Sequence, residues 1–247
     1  MYRRDAEAET PAFLAPGRRS IGIRQRTAAD GSVVIPLDEA RLNEAITFLV
    51  DVEHVEAIAV CYLFSYVDPA DECRTRDLIK ARYPDIHVSL SHEVDPVFRE
   101  YERTCSTAFD AYLRPIVGKY LASLRDRLHE ISVDCPVLTM QSRGGLASTT
   151  MASARPVSVL LSGPAAGVIG AKWVADRAGY SDCITLDMGG TSADIALIRQ
   201  GMALSTTSGR IERYPLRTPM VDVTTIGAGG GSIAWLDPAG GLRVGPK

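Results

Sequence analysis

The sequence predicts a mixed α/β fold in which βα units are followed by an antiparallel strand meander. The apolar run over residues 57–64 is bounded by polar residues, and such a run is typical of a strand buried on both faces of a parallel sheet. Helical periodicity precedes this run at 38–49 and follows it at 71–82. After Met188, strand-like runs follow one another without a helix between them, which favours an antiparallel arrangement.

In the first half of the chain, capping residues and prolines predict where the helices begin and end. Asp38 can cap the first helix, because its side-chain oxygen can accept a free backbone N–H. The second helix opens after Pro69 and closes before Pro84. A strand at 86–90 follows, and a long helix then runs through Pro115, where we expect a kink.

The second half begins with a strand at 137–140 and a helix at 164–178. Ser162 can cap this helix, and Gly179 can end it. The remaining predicted elements are all strands, over residues 183–188, 193–198, 202–207 and 220–226.

The change from βα units to consecutive strands near Gly179 predicts a lobe boundary there. We therefore divide the chain into a connector or tail at 1–30, an α/β part at 31–178 and the start of a second lobe at 179–247.

The composition is that of an ordinary globular protein. The 247 residues carry 27 basic and 30 acidic side chains, a net charge of −3, which leaves no strong field to attract nucleic acid or an anionic membrane. No apolar run approaches the roughly 20 residues of a membrane span, and the amino terminus is too charged for a signal peptide. Five cysteines without a CxxC spacing argue against a disulfide framework or zinc site. We expect a cytoplasmic protein.

The stretch ITLDMGGTSADIALI is the most informative motif. Gly189 and Gly190 form a tight turn between two apolar strands, where backbone N–H groups can approach an anion closely. Thr191 offers a hydroxyl, and Asp187 at the strand end can hold a magnesium-bound water. The alternative is an ordinary hairpin turn, which the bare pattern favours equally. Asp194, as a second acidic residue, shifts the balance toward a phosphate-binding turn.

Two further stretches have competing interpretations. Gly163, Gly167 and Ala171 give the preceding helix a bare face that another backbone can approach, but a close-packed core helix has the same pattern. The charged patch over 99–104 contains i,i+3 pairs of opposite charge, including Arg103 with its partner three residues earlier, and therefore predicts a solvated helix face.

The order of small-residue helix, strand, DMGGTSAD hairpin and meander resembles the middle of the actin-like ATPases, which have a ribonuclease H-like fold. The closer resemblance is to the hydantoinase A and oxoprolinase family, which includes ATP-dependent ketone carboxylase subunits. It is carried by LSGPAAGVIGA, LDMGGTSADIALI, TIGAGGGSIAWLD and LRVGPK, and by the upstream stretches HEVDPVFREYERTCSTAFDAYLRPIV and MQSRGGLAS.

This resemblance implies ATP-dependent hydrolysis of a cyclic amide such as hydantoin, N-methylhydantoin or oxoproline. In that chemistry ATP phosphorylates the amide oxygen, and the protein mainly supplies positioning and charge stabilisation. ATP and Mg²⁺ are the implied cofactors, and a hydantoinase B type subunit is the implied partner. The alternatives are an ATP-dependent ketone carboxylase subunit and a catalytically silent scaffold fragment.

The resemblance also assigns roles to individual residues. Asp187 and Asp194 are the implied catalytic carboxylates, with Asp187 also on the metal side. The implied nucleotide-binding residues form two glycine-rich loops, one with Gly189, Gly190, Thr191 and Ser192, the other with Gly227, Gly229, Gly230 and Gly231. For the second loop a flexible turn is an equal competitor.

The sequence departs from the family pattern in three places. The family's amino-terminal DxGGTxTD loop does not occur before Asp187, and the chain ends at Lys247 where the resemblance implies more protein. Arg143 stands where the family pattern has Asn, which leaves the role of that side chain open. We therefore expect an internal fragment with an incomplete actin-like fold, inactive by itself.

Overall fold

The computed structural model describes residues 15–211 and 214–245, and the fold is mixed α/β. The helices are α1 (Glu39–Thr47), α2 (Ala70–Arg82), α3 (Ser91–Val94), α4 (Glu100–Glu130), α5 (Thr149–Ala154) and α6 (Ser162–Ala178), with short 3₁₀ turns at Gly17–Arg19 and Pro156–Val159 and a π-helical segment at Phe48–Val52. The strands are β1 (Arg26–Thr27), β2 (Val33–Ile35), β3 (Ala57–Val60), β4 (His87–Leu90), β5 (Leu138–Met140), β6 (Leu146–Ser148), β7 (Cys183–Met188), β8 (Ala193–Arg199), β9 (Met202–Ala203), β10 (Ser205–Thr206), β11 (Gly209–Ile211), β12 (Tyr214–Leu216), β13 (Met220–Val221), β14 (Val223–Ile226), β15 (Ile233–Leu236) and β16 (Leu242–Gly245).

The chain forms two compact units. The first unit comprises the described residues within 1–133, 153–157 and 208–218, and the second unit those within 134–152, 158–207 and 219–247. Half of the predicted connector, residues 1–14, lies outside the described residues. None of the described helices combines the length and apolar character that a membrane span requires. All five cysteines are free.

The core of the first unit surrounds two parallel strands, as the sequence predicts. β3 and β4 pair in parallel, with Ala57 opposite His87 and Val60 opposite Leu90. Helices α1 and α2 contribute to the same apolar cluster, whose buried members are Leu42, Ile46, Val60, Ile79, Val88 and Leu90. The cap of α1 is confirmed, since the Asp38 carboxylate accepts the Arg41 N–H at 3.0 Å.

β3 is shorter and less buried than predicted. It ends at Val60, Ala59 is exposed, and Phe64 lies in a turn with a left-handed φ of 58°. The prediction that residues 57–64 form one strand buried on both faces is therefore wrong, because an apolar run carries no signal for the turn that ends it.

α4 is a 31-residue helix that runs without a break through Pro115. Its buried side includes Cys105, Phe109 and Leu121. Tyr101, Tyr112 and Tyr120 of the same helix are each more than half exposed, so these aromatic rings lie outside the core. A kink at Pro115 stays a prediction.

The second unit contains the antiparallel meander that the sequence predicts. β8 pairs antiparallel with β7 on one side and β14 on the other, and β9 extends the edge of β8. α6 packs on this sheet through a buried cluster formed by Ala165, Val168, Ala196, Ile198 and Val221. The lobe boundary near Gly179 stays a prediction.

Two details of the second unit correct the sequence-based predictions. Ser162 does not cap α6, because the helix begins at Ser162 itself and Leu161 holds the N-cap position without a capping side-chain bond. The strands predicted at 202–207 and 220–226 each break in two, at Leu204 and Asp222. The Asp222 N–H bonds the Leu204 oxygen at 2.8 Å, so the interruptions pair with each other. Gly179 ends α6 with a φ of 83°, as predicted.

Candidate functional site

The two acidic residues of the DMGGTSAD motif lie side by side at the base of its turn. β7 and β8 pair with Asp187 directly opposite Asp194. Cross-strand partners project from the same face of a sheet, so both carboxylates lie on one side of the hairpin. The turn closes with a hydrogen bond from the Gly189 N–H to the Ser192 oxygen at 2.9 Å. The predicted tight turn between two strands is therefore present at Gly189 and Gly190, and its use as a phosphate-binding turn stays a prediction.

The two carboxylates have different environments. Asp194 is half-buried and accepts the Thr225 hydroxyl at 2.5 Å, which fixes its position. Asp187 is exposed and lies beside α6, where a methyl group added at Gly167 would come within 3.5 Å of its Oδ2 atom. The bare helix face therefore faces Asp187. One carboxylate is held by the sheet, and the other is available to a ligand.

The second glycine-rich loop lies directly on the first. The Gly230 N–H bonds the Gly189 oxygen at 2.9 Å, and the Gly231 N–H bonds the Gly190 oxygen at 2.7 Å. A methyl group at Gly229 would lie 2.6 Å from both the Gly189 oxygen and a backbone nitrogen of the turn, closer than any real Cβ contact. Only glycine permits this approach, so the loops form one stacked pair of backbones.

The outer side of this stacked pair is open. A methyl group at Gly190 or at Gly227 would meet no atom within 4 Å, and Thr191 is exposed. Accessible backbone amides beside a hydroxyl are suited to bind a phosphate group. Magnesium prefers oxygen ligands and usually keeps several waters, so one exposed carboxylate such as Asp187 fits its requirements. The residues present therefore fit a magnesium-bound phosphate.

A buried polar network in the first unit was missed at the sequence level. At the carboxyl end of the parallel strands, Glu72 is fully buried. Its carboxylate accepts the Tyr62 N–H at 3.0 Å, the Ser91 hydroxyl at 2.6 Å, and the His92 backbone N–H at 3.1 Å. These donors offset the cost of removing the charge from water. In the sequence Glu72 is one charged residue in a helix rich in charges, which gives no signal of burial.

Arg103 corrects the prediction of a solvated helix face. Its side chain is fully buried, donates to the Tyr62 oxygen at 2.6 Å and lies 5.2 Å above the Tyr66 ring centroid. Among the described residues, its Nε and Nη1 atoms have no partner. Of the two predicted pairs, Arg99 and Glu102 lie 3.4 Å apart, with Arg99 exposed and Glu102 half-buried. An i,i+3 charge spacing is the same for an exposed and a buried arginine, which is why the prediction failed.

A buried ion pair lies near the start of α4. Asp95 accepts the Arg217 Nε at 2.6 Å and is 5% exposed. Burial raises the pKa of Asp95, and the hydrogen bond from Arg217 partly opposes that rise.

In the second unit, Arg143 donates to the Gln141 side chain at 2.9 Å within the turn between β5 and β6. That bond places Arg143 in the local turn structure.

Comparison with known proteins identifies the family. Residues 103–247 match the hydantoinase/oxoprolinase family, and residues 3–83 match the N-terminal region of the same family. The chain belongs to the hydantoinase/oxoprolinase family. The resemblance that the sequence motifs carry is confirmed.

Individual relatives and structures agree with this assignment. The chain is 38% identical over 246 residues to the caprolactamase subunit alpha of Pseudomonas jessenii, which covers 100% of this chain and 35% of that protein. It is 37% identical over 198 residues to the 5-oxoprolinase of Saccharomyces cerevisiae, covering 78% of this chain and 15% of the relative. The crystal structure of ATP-dependent caprolactamase from Pseudomonas jessenii superposes with a TM-score of 0.89 over 100% of this chain and 36% of the other.

A structure of nucleotide-free acetone carboxylase, described as performing ATP-dependent acetone carboxylation, superposes with a TM-score of 0.76 at 32% identity. That match covers 92% of this chain and 32% of the carboxylase chain. The chain thus spans about a third of the length of the caprolactamase and acetone carboxylase chains and 15% of the 5-oxoprolinase. The mixed α/β fold is shared with both solved structures.

Proposed function

We propose that the protein hydrolyses a cyclic amide of the hydantoin, N-methylhydantoin or oxoproline type with ATP and Mg²⁺, and that this chain supplies one phosphate-binding turn. The observation that carries the proposal is the stacked pair of glycine loops with the exposed Asp187 beside it. Relatives named as a caprolactamase subunit and a 5-oxoprolinase support a lactam substrate. In the same proposal, the fold is the incomplete actin-like ATPase fold, with lobes at 31–178 and 179–247.

The chain's own residues would act by position and charge. The open side of the turn at Gly190 and Thr191, with Gly227 beside it, would bind the β- and γ-phosphates. Gly189 and Ser192 would close the turn through their hydrogen bond, and Gly229, Gly230 and Gly231 would hold it in place from behind. Asp187 would hold a magnesium-bound water, and Asp194, held by the Thr225 hydroxyl of β14, would support the turn. ATP, when bound, supplies the phosphoryl group that makes the amide carbon a good electrophile for water.

The proposed partner is a hydantoinase B type subunit. Relatives carry the names caprolactamase subunit alpha and acetone carboxylase beta subunit, which supports an assembly of several subunits. A cytoplasmic location stays a prediction from the sequence.

The second candidate is an ATP-dependent ketone carboxylase subunit. Its support is the likeness to the acetone carboxylase structure, at 32% identity. Both activities use ATP to phosphorylate an oxygen, the amide oxygen in the hydrolase and an enolate or carbonyl oxygen in the carboxylase, so the phosphate-binding turn would serve either reaction. Product analysis with labelled bicarbonate separates them, because only the carboxylase incorporates the label.

The test uses the whole protein that contains this chain. We expect Asp187→Asn to lower the ATP-dependent turnover of a cyclic amide about 100-fold or more. The neutral asparagine side chain no longer offsets the positive charge of the magnesium ion. Asp176→Asn is the matched control, since Asp176 is an exposed residue of the same unit that pairs with Lys172. It should leave turnover unchanged.

Calorimetric titration with Mg-ATP completes the test. Gly190→Ala places a methyl group in open space at a residue without a positive φ, so it should keep the fold and weaken nucleotide binding. Full turnover by Asp187→Asn, or an intact protein that never consumes ATP, would contradict the proposal.

A further inference from the structure

Three neighbouring side chains of the first unit contact one another in succession, and the proposed ATP chemistry uses none of them. The Cys73 Sγ atom lies 4.0 Å from the His92 Nε2 atom. On the other side of the ring, the His92 Nδ1 atom lies 2.7 Å from the Glu72 Oε2 atom. The order thiol, imidazole, carboxylate is that of an activated nucleophile, a base and a group that orients the base.

The backbone fixes this line of side chains. Glu72 and Cys73 are successive residues in the first turn of α2, and the Cys73 N–H bonds the Pro69 oxygen at 3.0 Å. His92 lies in α3, directly after β4, and its own backbone N–H also binds the Glu72 carboxylate at 3.1 Å. The carboxylate therefore holds both the main chain and the ring of His92.

The hydrogen bonds around Glu72 determine which ring nitrogen carries the proton. Glu72 already accepts the Tyr62 N–H and the Ser91 hydroxyl, and an ionised carboxylate only accepts. The His92 Nδ1 atom is therefore the donor to Glu72, and in the neutral ring Nε2 is left with the lone pair. That lone pair faces the Cys73 thiol, from which it can take the proton.

We propose that Cys73, His92 and Glu72 form a nucleophile–base triad that makes Cys73 a site of covalent modification by small disulfides and small carbon electrophiles. With a disulfide RSSR, the Cys73 sulfur forms a new S–S bond with one sulfur, and the other sulfur leaves with the electron pair. His92 takes the thiol proton and returns it to the departing RS⁻. The products are the mixed disulfide and one RSH, so no further oxidant is needed. With iodoacetamide, the Cys73 sulfur forms a C–S bond, the C–I bond breaks and iodide leaves with the electron pair, and His92 passes the thiol proton to solvent.

The size of the reagent is limited by the surroundings of Cys73. The side chain is half-buried and packs against the apolar cluster that includes Ile79. Cys135 is exposed, and no base contacts its sulfur among the described residues, while Cys105 is buried at 2% exposure. Exposure alone therefore predicts that Cys135 reacts first, and the triad predicts that Cys73 does.

The other charged groups near the triad come from α2, α3 and α4. On α2 these are Asp71 and Arg76, and on α3 Glu93, which pairs with Arg76 at 3.4 Å. Arg76 also pairs with its neighbour Asp77 at 3.3 Å. Arg103 of α4 donates to the Tyr62 oxygen, and the Tyr62 N–H donates to Glu72. His92 is thus the one titratable base within contact of the Cys73 sulfur among the described residues.

The test measures the alkylation rate of each cysteine in the full chain at pH 7, with iodoacetamide as the probe and peptide mass spectrometry as the readout. Hydroxyethyl disulfide serves as a second, disulfide probe. We expect Cys73 to react about tenfold faster than Cys135 with both probes, although it is less exposed. A bulky maleimide should reverse this order. Equal or slower reaction of Cys73 with the small probes would overturn the proposal.

The variant His92→Gln separates the base from exposure. We expect it to slow the reaction of Cys73 about tenfold at pH 7 and to leave Cys135 unchanged. Near pH 9.5, where thiols ionise without a base, the difference should narrow. Cys105 is the internal control for folding, because it stays unreactive only while α4 is packed. An unchanged Cys73 rate in a folded variant would contradict the triad, and if the variant unfolds, the wild-type comparison of Cys73 with Cys135 still decides.

Discussion

The two units place their carboxylates in opposite ways. In the first unit, Glu72 and Asp110 are fully buried, and every donor around them is provided by the protein. In the second unit, Asp187 is exposed. The close contact beside it is between two backbones, since Gly229 packs directly against the turn at Gly189. A buried carboxylate whose acceptor sites are filled acts only by positioning its donors, as Glu72 positions His92, whereas an exposed one on a rigid frame is free to bind a ligand.

The largest effect that tests this comparison is expected at Asp110. Its carboxylate accepts the Ser89 hydroxyl at 2.7 Å, the Arg114 Nε at 2.9 Å and the Val157 N–H at 3.3 Å. Asp110→Ala leaves these donors without an acceptor in a buried place. We expect a loss of about 3 kcal/mol in the free energy of unfolding, measured by urea denaturation with circular dichroism.

Asp126→Ala is the matched control on the same helix. Asp126 is exposed and, within the part of the chain that the structure describes, pairs only with its neighbour Arg125 at 3.3 Å, so no measurable change in stability is expected. Equal costs for the two variants would show that burial does not distinguish the carboxylates of α4.

The next effect concerns the stacked loops of the second unit. Gly229→Ala places a methyl group 2.6 Å from the Gly189 oxygen, and relief requires the backbone to move. We expect a loss of about 2 kcal/mol in stability. Both tryptophans, Trp173 and Trp235, belong to the second unit, so fluorescence reports its unfolding directly.

Gly190→Ala is the control for this clash. Its methyl group would meet nothing within 4 Å, so the fluorescence transition should move little. A Gly229→Ala protein as stable as Gly190→Ala would show that the loops are not held together by contact of their backbones.

The parts of the structure that the sequence predicts well are those with local causes. The strand bounds Cys183–Met188 follow from a short apolar run that ends at two glycines. Asp38 caps α1 because its oxygen reaches an N–H only three residues away. Gly179 ends α6 because glycine adopts a φ of 83° without strain.

The parts that the sequence does not predict depend on distant residues. Arg103 and Glu72 are buried because strands and helices far along the chain surround them, and their own spacing is that of a solvated helix. The glycine content of both loops is visible in the sequence, but the bond from Gly230 to Gly189 joins residues 41 positions apart. The candidate site was therefore predicted in its parts, while its stacking required the fold.

The smallest expected effect concerns Asp237, a carboxylate of the second unit that the backbone holds. It accepts the Gly241 N–H at 2.8 Å, the Arg243 Nε at 2.9 Å and the Ala239 N–H at 3.0 Å, and these bonds lower its pKa. Because the folded pKa lies below the unfolded value near 4, Asp237 stabilises the β15–β16 hairpin above that pH. The contribution is lost as the pH falls through the folded pKa.

An NMR titration of the Asp237 carboxyl carbon measures this directly. We expect a midpoint below that of an ordinary aspartate. Arg243→Gln should raise the midpoint only in part, because the two backbone donors remain and Gly241 has the largest influence on the pKa of Asp237. A midpoint that returns fully to the ordinary value in Arg243→Gln would assign the effect to the exposed arginine. The pKa of Asp237 would then be set by a side-chain donor rather than by the backbone. Asp237 would resemble Asp110, which is bound by the side chains of Ser89 and Arg114.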